Sequence, residues 1–127
     1  TLKKQVVEYL LENNYEVADY GCSGLESCDY PVFAKKVAKD VSEGQADFGI
    51  LICTTGIGMS ICANKFKNVR AALVTNIESA HLTRQHNNSN VICSYVVFNF
   101  LKLFFDTILK VFEFFQSKNC IIITKSA

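Results

Sequence analysis

The run Phe48-Gly49-Ile50-Leu51-Ile52-Cys53 constrains the fold most, because it carries no charge and leads straight into Thr54-Thr55-Gly56-Ile57-Gly58. A continuous apolar run of this kind suits a strand buried on both faces, and such strands belong to parallel sheets covered by helices on either side. In an open parallel sheet, ligands bind beyond the carboxyl ends of the strands, where a loop feeds the next helix. The chain therefore carries a core strand and, directly after it, a candidate binding loop.

The flanking segments fit that frame. Val6, Val7, Leu10 and Leu11 recur at helical spacing between charged and polar neighbours, which predicts an amphipathic helix over Leu2–Asn13. Tyr15–Tyr20 alternates as a half-buried strand does, and a loop rich in Gly, Ser and Cys follows. Pro31 suits the first turn of a helix whose apolar face, Val32, Phe33, Val37 and Val41, runs on towards Gly44. Beyond the glycine loop, Ser60–Phe66 reads as a short helix, Val69–Thr75 as a strand, Ile77–Gln85 as a helix and Asn90–Cys93 as a short strand. This alternation predicts the α/β class with a mainly parallel sheet, and right-handed crossovers put helices on both faces.

Val96–Phe115 is long and apolar, but Lys102, Asp106, Lys110 and Glu113 interrupt it along one helical face. A spanning helix would hold these charges near its middle, so an amphipathic helix packed on the sheet or on a partner subunit is expected, with no membrane insertion. Cys120–Thr124 reads either as a terminal strand or as a tail.

The 127 residues suffice for one domain, and the net charge of +1 with half the residues hydrophobic argues against both disorder and nucleic-acid binding. The cysteines, Cys22, Cys28, Cys53, Cys62, Cys93 and Cys120, form no CxxC pair, and His81 and His86 are the only histidines, so no metal site is expected. A strong core pattern without a secretory leader predicts free thiols and a cytoplasmic location.

Gly56 and Gly58 remove side chains from the turn, which lets backbone amides approach an anionic oxygen closely. No lysine follows the second glycine and the third glycine of a dinucleotide fingerprint is absent, so nucleotide binding is disfavoured. Cys53, placed just before these amides, is a usable base or nucleophile. A cysteine ending a hydrophobic strand is equally well a buried core residue, and spacing alone leaves both readings open. His86, in the polar stretch Thr83–Asn90, has the chemistry of a general acid or base near neutral pH, or is a solvated surface side chain.

The residues Asp29-Tyr30-Pro31, Gly49 to Ser60, Ala63-Asn64-Lys65, Val69-Arg70-Ala71-Ala72, Ser79-Ala80 and Arg84-Gln85-His86-Asn87 carry a more specific signal. In order and spacing they resemble type B ribose-5-phosphate isomerase and the related sugar-phosphate isomerases, including galactose-6-phosphate isomerase. The likeness runs from Leu2 to Cys93, within a single domain of residues 1–127 whose part 94–127 diverges. It implies a Rossmann-like α/β/α sandwich, a homodimer with active sites at the subunit interface, a small sugar phosphate as ligand, and no metal or organic cofactor. It also implies roles. Cys53 removes a proton from carbon 2 of the open-chain sugar and returns it to carbon 1. Thr55 and the amides around Thr54, Gly56 and Gly58 stabilise the enediolate. His86 helps open the ring, Asn87 contacts the sugar and Tyr30 lines the site.

The family pattern begins with a strand ending in Asp-His that has no counterpart in Thr1–Gly21, so the first strand is expected to be missing. Cys93-Ser94-Tyr95-Val96 stands where Gly-x-Arg is usual, Thr54 where glycine is common, and no arginine follows Arg84. Two functions are consistent with this pattern: an aldose–ketose isomerase, foremost of ribose 5-phosphate, and a catalytically inactive paralogue or truncated product that dimerises or binds sugar phosphate without turnover.

Overall fold

The computed structural model describes residues 2–21, 29–95 and 119–124. The helix expected over Val96–Phe115 and the loop of residues 22–28 lie outside them. The elements are α1 (Leu2–Glu12), β1 (Glu16–Asp19), α2 (Tyr30–Ser42), β2 (Phe48–Cys53), α3 (Ile57–Ala63), β3 (Ala71–Val74), α4 (Ile77–Asn87), β4 (Val91–Tyr95) and β5 (Asn119–Thr124). Among the described residues no helix is long and apolar enough to cross a membrane.

The strands form one sheet in the order β1-β5-β2-β4-β3, every pair parallel. The central strand β2 is buried along its whole length. Its side chains alternate between two cores, as the pleat requires. Phe48, Ile50 and Ile52 pack with Val6 and Leu10 of α1, Ala80 of α4 and Ile92 of β4. Leu51 and Cys53 pack with Ala34, Val37, Ala38 and Val41 of α2, Met59 and Ala63 of α3, and Val91 and Cys93 of β4. Helices α1 and α4 thus cover one face and α2 and α3 the other, the three-layer sandwich expected. Gly49 marks where α2 comes closest to the sheet: a Cβ there would meet Val37 Cγ1 at 2.6 Å and Val91 Cγ2 at 3.2 Å.

The segment that read as a terminal strand or a tail is an interior strand. β5 lies between β1 and β2, with Ile121 paired to Ala18 on one side and to Gly49 on the other. The facing backbone groups of β1 and β2 are therefore both covered by β5. Among the described strands β3 lies at one edge. Part of its open side is closed by Asn64, whose amide donates to the Ala71 carbonyl and accepts from the Ala71 N–H, both at 2.8 Å.

Two boundaries differ from the sequence reading for local reasons. α3 begins at Ile57 rather than Ser60, because Gly56 turns left-handed (φ 75°) and starts the helix at once. α4 runs through His86 and Asn87 and ends at left-handed Asn88 (φ 52°), so the histidine sits in the last helical turn rather than in a polar loop.

Candidate active site

Cys53 closes β2 with 7% of its surface exposed. Its Sγ accepts a hydrogen bond from the Gly56 amide at 2.9 Å, which folds the loop back over the sulfur. The fold-back depends on glycine: at φ +75° a Cβ on residue 56 would lie 2.7 Å from Leu73 Cδ1 and 3.3 Å from the carbonyl carbons of Cys93 and Ser94. Thr55 Oγ1 accepts from the Ile57 amide at 3.3 Å, and Ser60 Oγ donates to the Ile57 carbonyl at 2.7 Å. Thr54 and Thr55 are exposed and Gly58, in the first turn of α3, is half-buried. A sulfur thus lies beneath a short loop that exposes two threonines, Thr54 and Thr55.

Of the thiols among the described residues, Cys53, Cys62 and Cys93 are free. Cys93, in β4 opposite Leu51, is a core residue. Burial first, and the neighbouring Cys53 second, push its thiol up to about 12, so it stays protonated. No group of three or more His, Cys, Asp or Glu side chains able to hold a metal occurs among the described residues.

His86 and Asn87 are exposed at the end of α4. That helix starts beyond the carboxyl end of β3 with a capping box, Asn76 Oδ1 accepting from the Ser79 amide at 2.7 Å while Ser79 Oγ accepts from the Asn76 amide at 3.3 Å. It then runs back against the strand direction and hands over to the start of β4. The connecting turn is pinned on every side. Arg70 Nε donates to the Asn88 carbonyl at 2.7 Å, Arg84 Nη1 to the Ser89 carbonyl at 2.8 Å, and the Gly49 amide to the Asn90 carbonyl at 2.9 Å. Arg84 is itself buried against the Phe48 ring, 5.5 Å from its centroid. Burial, and then the charge of Arg70, lower its guanidinium from the ordinary value.

The two candidate clusters therefore sit at opposite edges of the sheet. Val91 pairs with Gly49 at the amino end, Tyr95 with Cys53 at the carboxyl end, and the strand between them spans about 13 Å. One copy of the chain does not bring His86 to Cys53. Thr54, Thr55, Gly56 and Gly58 are gathered around Cys53, Asn87 goes with His86, and Tyr30 is the first residue of α2. Sequence reasoning missed the hydrogen-bonding roles of Arg70 and Asn90, whose partners lie in other segments, and of Arg84, which bonds five residues along. The one local hint was a pair of arginines beside asparagine-rich turns.

The parallel sheet between two helical layers, with a glycine-containing loop at the end of the central strand, defines a Rossmann-like α/β protein. Residues 1–99 match the family described as Ribose/Galactose Isomerase, and the chain belongs to that family. It is 48% identical over 91 residues to ribose-5-phosphate isomerase B of Escherichia coli (strain K12), covering 72% of this chain and 61% of that protein. The chain spans about three fifths of the length of the curated relatives it matches. Among solved structures it is similar to ribose-5-phosphate isomerase B of Clostridium thermocellum, with a TM-score of 0.80 at 46% identity over 86% of this chain and 76% of that one. It is also similar to ribose-5-phosphate isomerase B of Mycoplasma genitalium with bound ribulose-5-phosphate, with a TM-score of 0.79 at 41% identity over 86% and 75% of the two chains.

Proposed function

We propose that the chain interconverts an aldose and a ketose phosphate, foremost ribose 5-phosphate and ribulose 5-phosphate, at a site shared by two copies in a homodimer. The observation that carries this reading is the Cys53 sulfur beneath the loop, with the Gly56 amide donating to it at 2.9 Å. Cys53 as thiolate takes the proton from carbon 2 of the open-chain aldose, and the electron pair moves into the carbon 1–carbon 2 bond as the carbonyl oxygen becomes negative. The proton of the carbon 2 hydroxyl passes to the negative oxygen on carbon 1, the thiol returns the abstracted proton to carbon 1, and the carbonyl forms at carbon 2, so atoms and electrons balance without a cofactor. Thr55, Thr54 and the amides around Gly56 and Gly58 are donors for the enediolate oxygens. His86 of the second copy moves the proton of ring opening, Asn87 holds a sugar hydroxyl, and Tyr30 borders the site. The separation of His86 from Cys53 within one copy supports the shared site, and the family match supports the reaction class.

The test is conversion of ribose 5-phosphate by the purified chain, followed by appearance of the ketose, with a six-carbon sugar phosphate run beside it. Cys53→Ser should lower kcat by about 10³, within the range for loss of a general base. Full activity of that variant contradicts the base assignment. A folded, dimeric chain without turnover favours the catalytically inactive paralogue or truncated product that dimerises or binds sugar phosphate.

A further inference from the structure

We propose that Arg70 is a positioning residue for His86 and Asn87, a role that rests on the isomerase reading above. Its guanidinium bridges two separate turns: Nε donates to the Asn88 carbonyl at 2.7 Å and Nη1 to the Asn68 carbonyl at 3.3 Å. The backbone of the same residue adds to the clasp. The Arg70 amide donates to Asn90 Oδ1 at 2.9 Å, and its carbonyl accepts from the Asn90 and Val91 amides at 3.1 and 3.3 Å. Asn90 Nδ2 closes the circuit on the Asn68 carbonyl at 2.8 Å.

Both turns contain a left-handed asparagine, Asn68 at φ 65° and Asn88 at φ 52°. Non-glycine residues hold this conformation only where their surroundings favour it. Asn88 is the residue that ends α4, immediately after Asn87. Its carbonyl therefore fixes the direction in which the last helical turn, and with it His86, leaves the sheet. Arg84 grips the next carbonyl, Ser89, from the core side, so a buried and an exposed guanidinium hold adjacent residues of one turn. The bridge needs a fork. A lysine at position 70 offers a single mobile ammonium that cannot keep both carbonyls in a fixed plane. Arg70 is distinct from the groups that touch substrate: it acts through the turn.

The test is a double-mutant cycle with an exchange measurement on the folded dimer. Arg70→Ala should lower kcat about tenfold with KM little changed, since a small misplacement of a reacting group costs rate before it costs binding. Arg70→Lys should recover only part of the loss. In a His86→Ala background Arg70→Ala should cost less than about twofold, because coupled residues are not additive. The Asn88 and Ser89 amides, both directed at the Thr83 carbonyl, should exchange faster in Arg70→Ala while those of β2 keep their wild-type rates. An equal loss in both backgrounds, or a tenfold loss with unchanged exchange at Asn88 and Ser89, overturns the proposal. Should wild type show no turnover, the isomerase reading fails and exchange decides alone: faster exchange confined to this turn supports the clasp, and unchanged exchange refutes it.

Discussion

The two ends of the sheet hold their functional residues by opposite means. At the carboxyl edge the Cys53 loop is set by backbone and sterics: Gly56 is buried, left-handed and hemmed in by β3 and β4 side-chain and backbone atoms, and its amide reaches a sulfur three residues back. At the amino edge the turn after α4 is set by side-chain hydrogen bonds from Arg70, Arg84 and Asn90, largely at the surface. The first arrangement tolerates almost no change at one position. The second spreads its load over several residues, of which the exposed Arg70 is one that water can partly replace.

The strand that both ends share is where this contrast breaks most completely. β2 has β5 as one of its two neighbours, and Ile121 pairs within the ladder on both sides. Ile121→Pro removes an interior amide and should destabilise the fold by about 3 kcal/mol or more, lowering the urea midpoint and taking loop and turn together. A neutral result would place β5 outside the sheet. Gly56→Ala sharpens the contrast by striking one end alone. Its left-handed backbone and the 2.7 Å approach to Leu73 Cδ1 should make it about 1–3 kcal/mol less stable in the same urea titration. Exchange of the Asn88–Asn90 amides should stay as in wild type below the unfolding midpoint. Equal loosening at both edges would show that the two ends are one cooperative unit.

How far each end was legible in the sequence follows from the same contrast. The loop could be read because everything that shapes it lies within a few residues: an uncharged strand, a cysteine at its end, and glycines where the chain must turn. The turn could not, because the bonds that Arg70 and Asn90 make across it join residues 18 to 22 positions apart, and a surface arginine gives no local sign of a carbonyl partner that far away. Gly49 shows the intermediate case. Its place in an apolar strand was clear, but its reason, the approach of Val37 from α2, is a packing fact. β5 was the least legible element. A short apolar run after a long helical pattern fits an edge or a tail as well as a centre, and only the vacant position between β1 and β2 gives it two parallel neighbours.

The shared site is the claim on which the rest depends, and subunit mixing tests it most directly. Cys53→Ser and His86→Ala dimers, each with activity far below wild type, are unfolded together, refolded as a mixture and assayed for isomerisation. If Cys53 of one copy works with His86 of the other, each mixed dimer has one intact site, and random pairing restores about a quarter of wild-type activity. If the mixture stays as inactive as its parents while mixed dimers are present, Cys53 and His86 do not meet across the interface and the account is wrong.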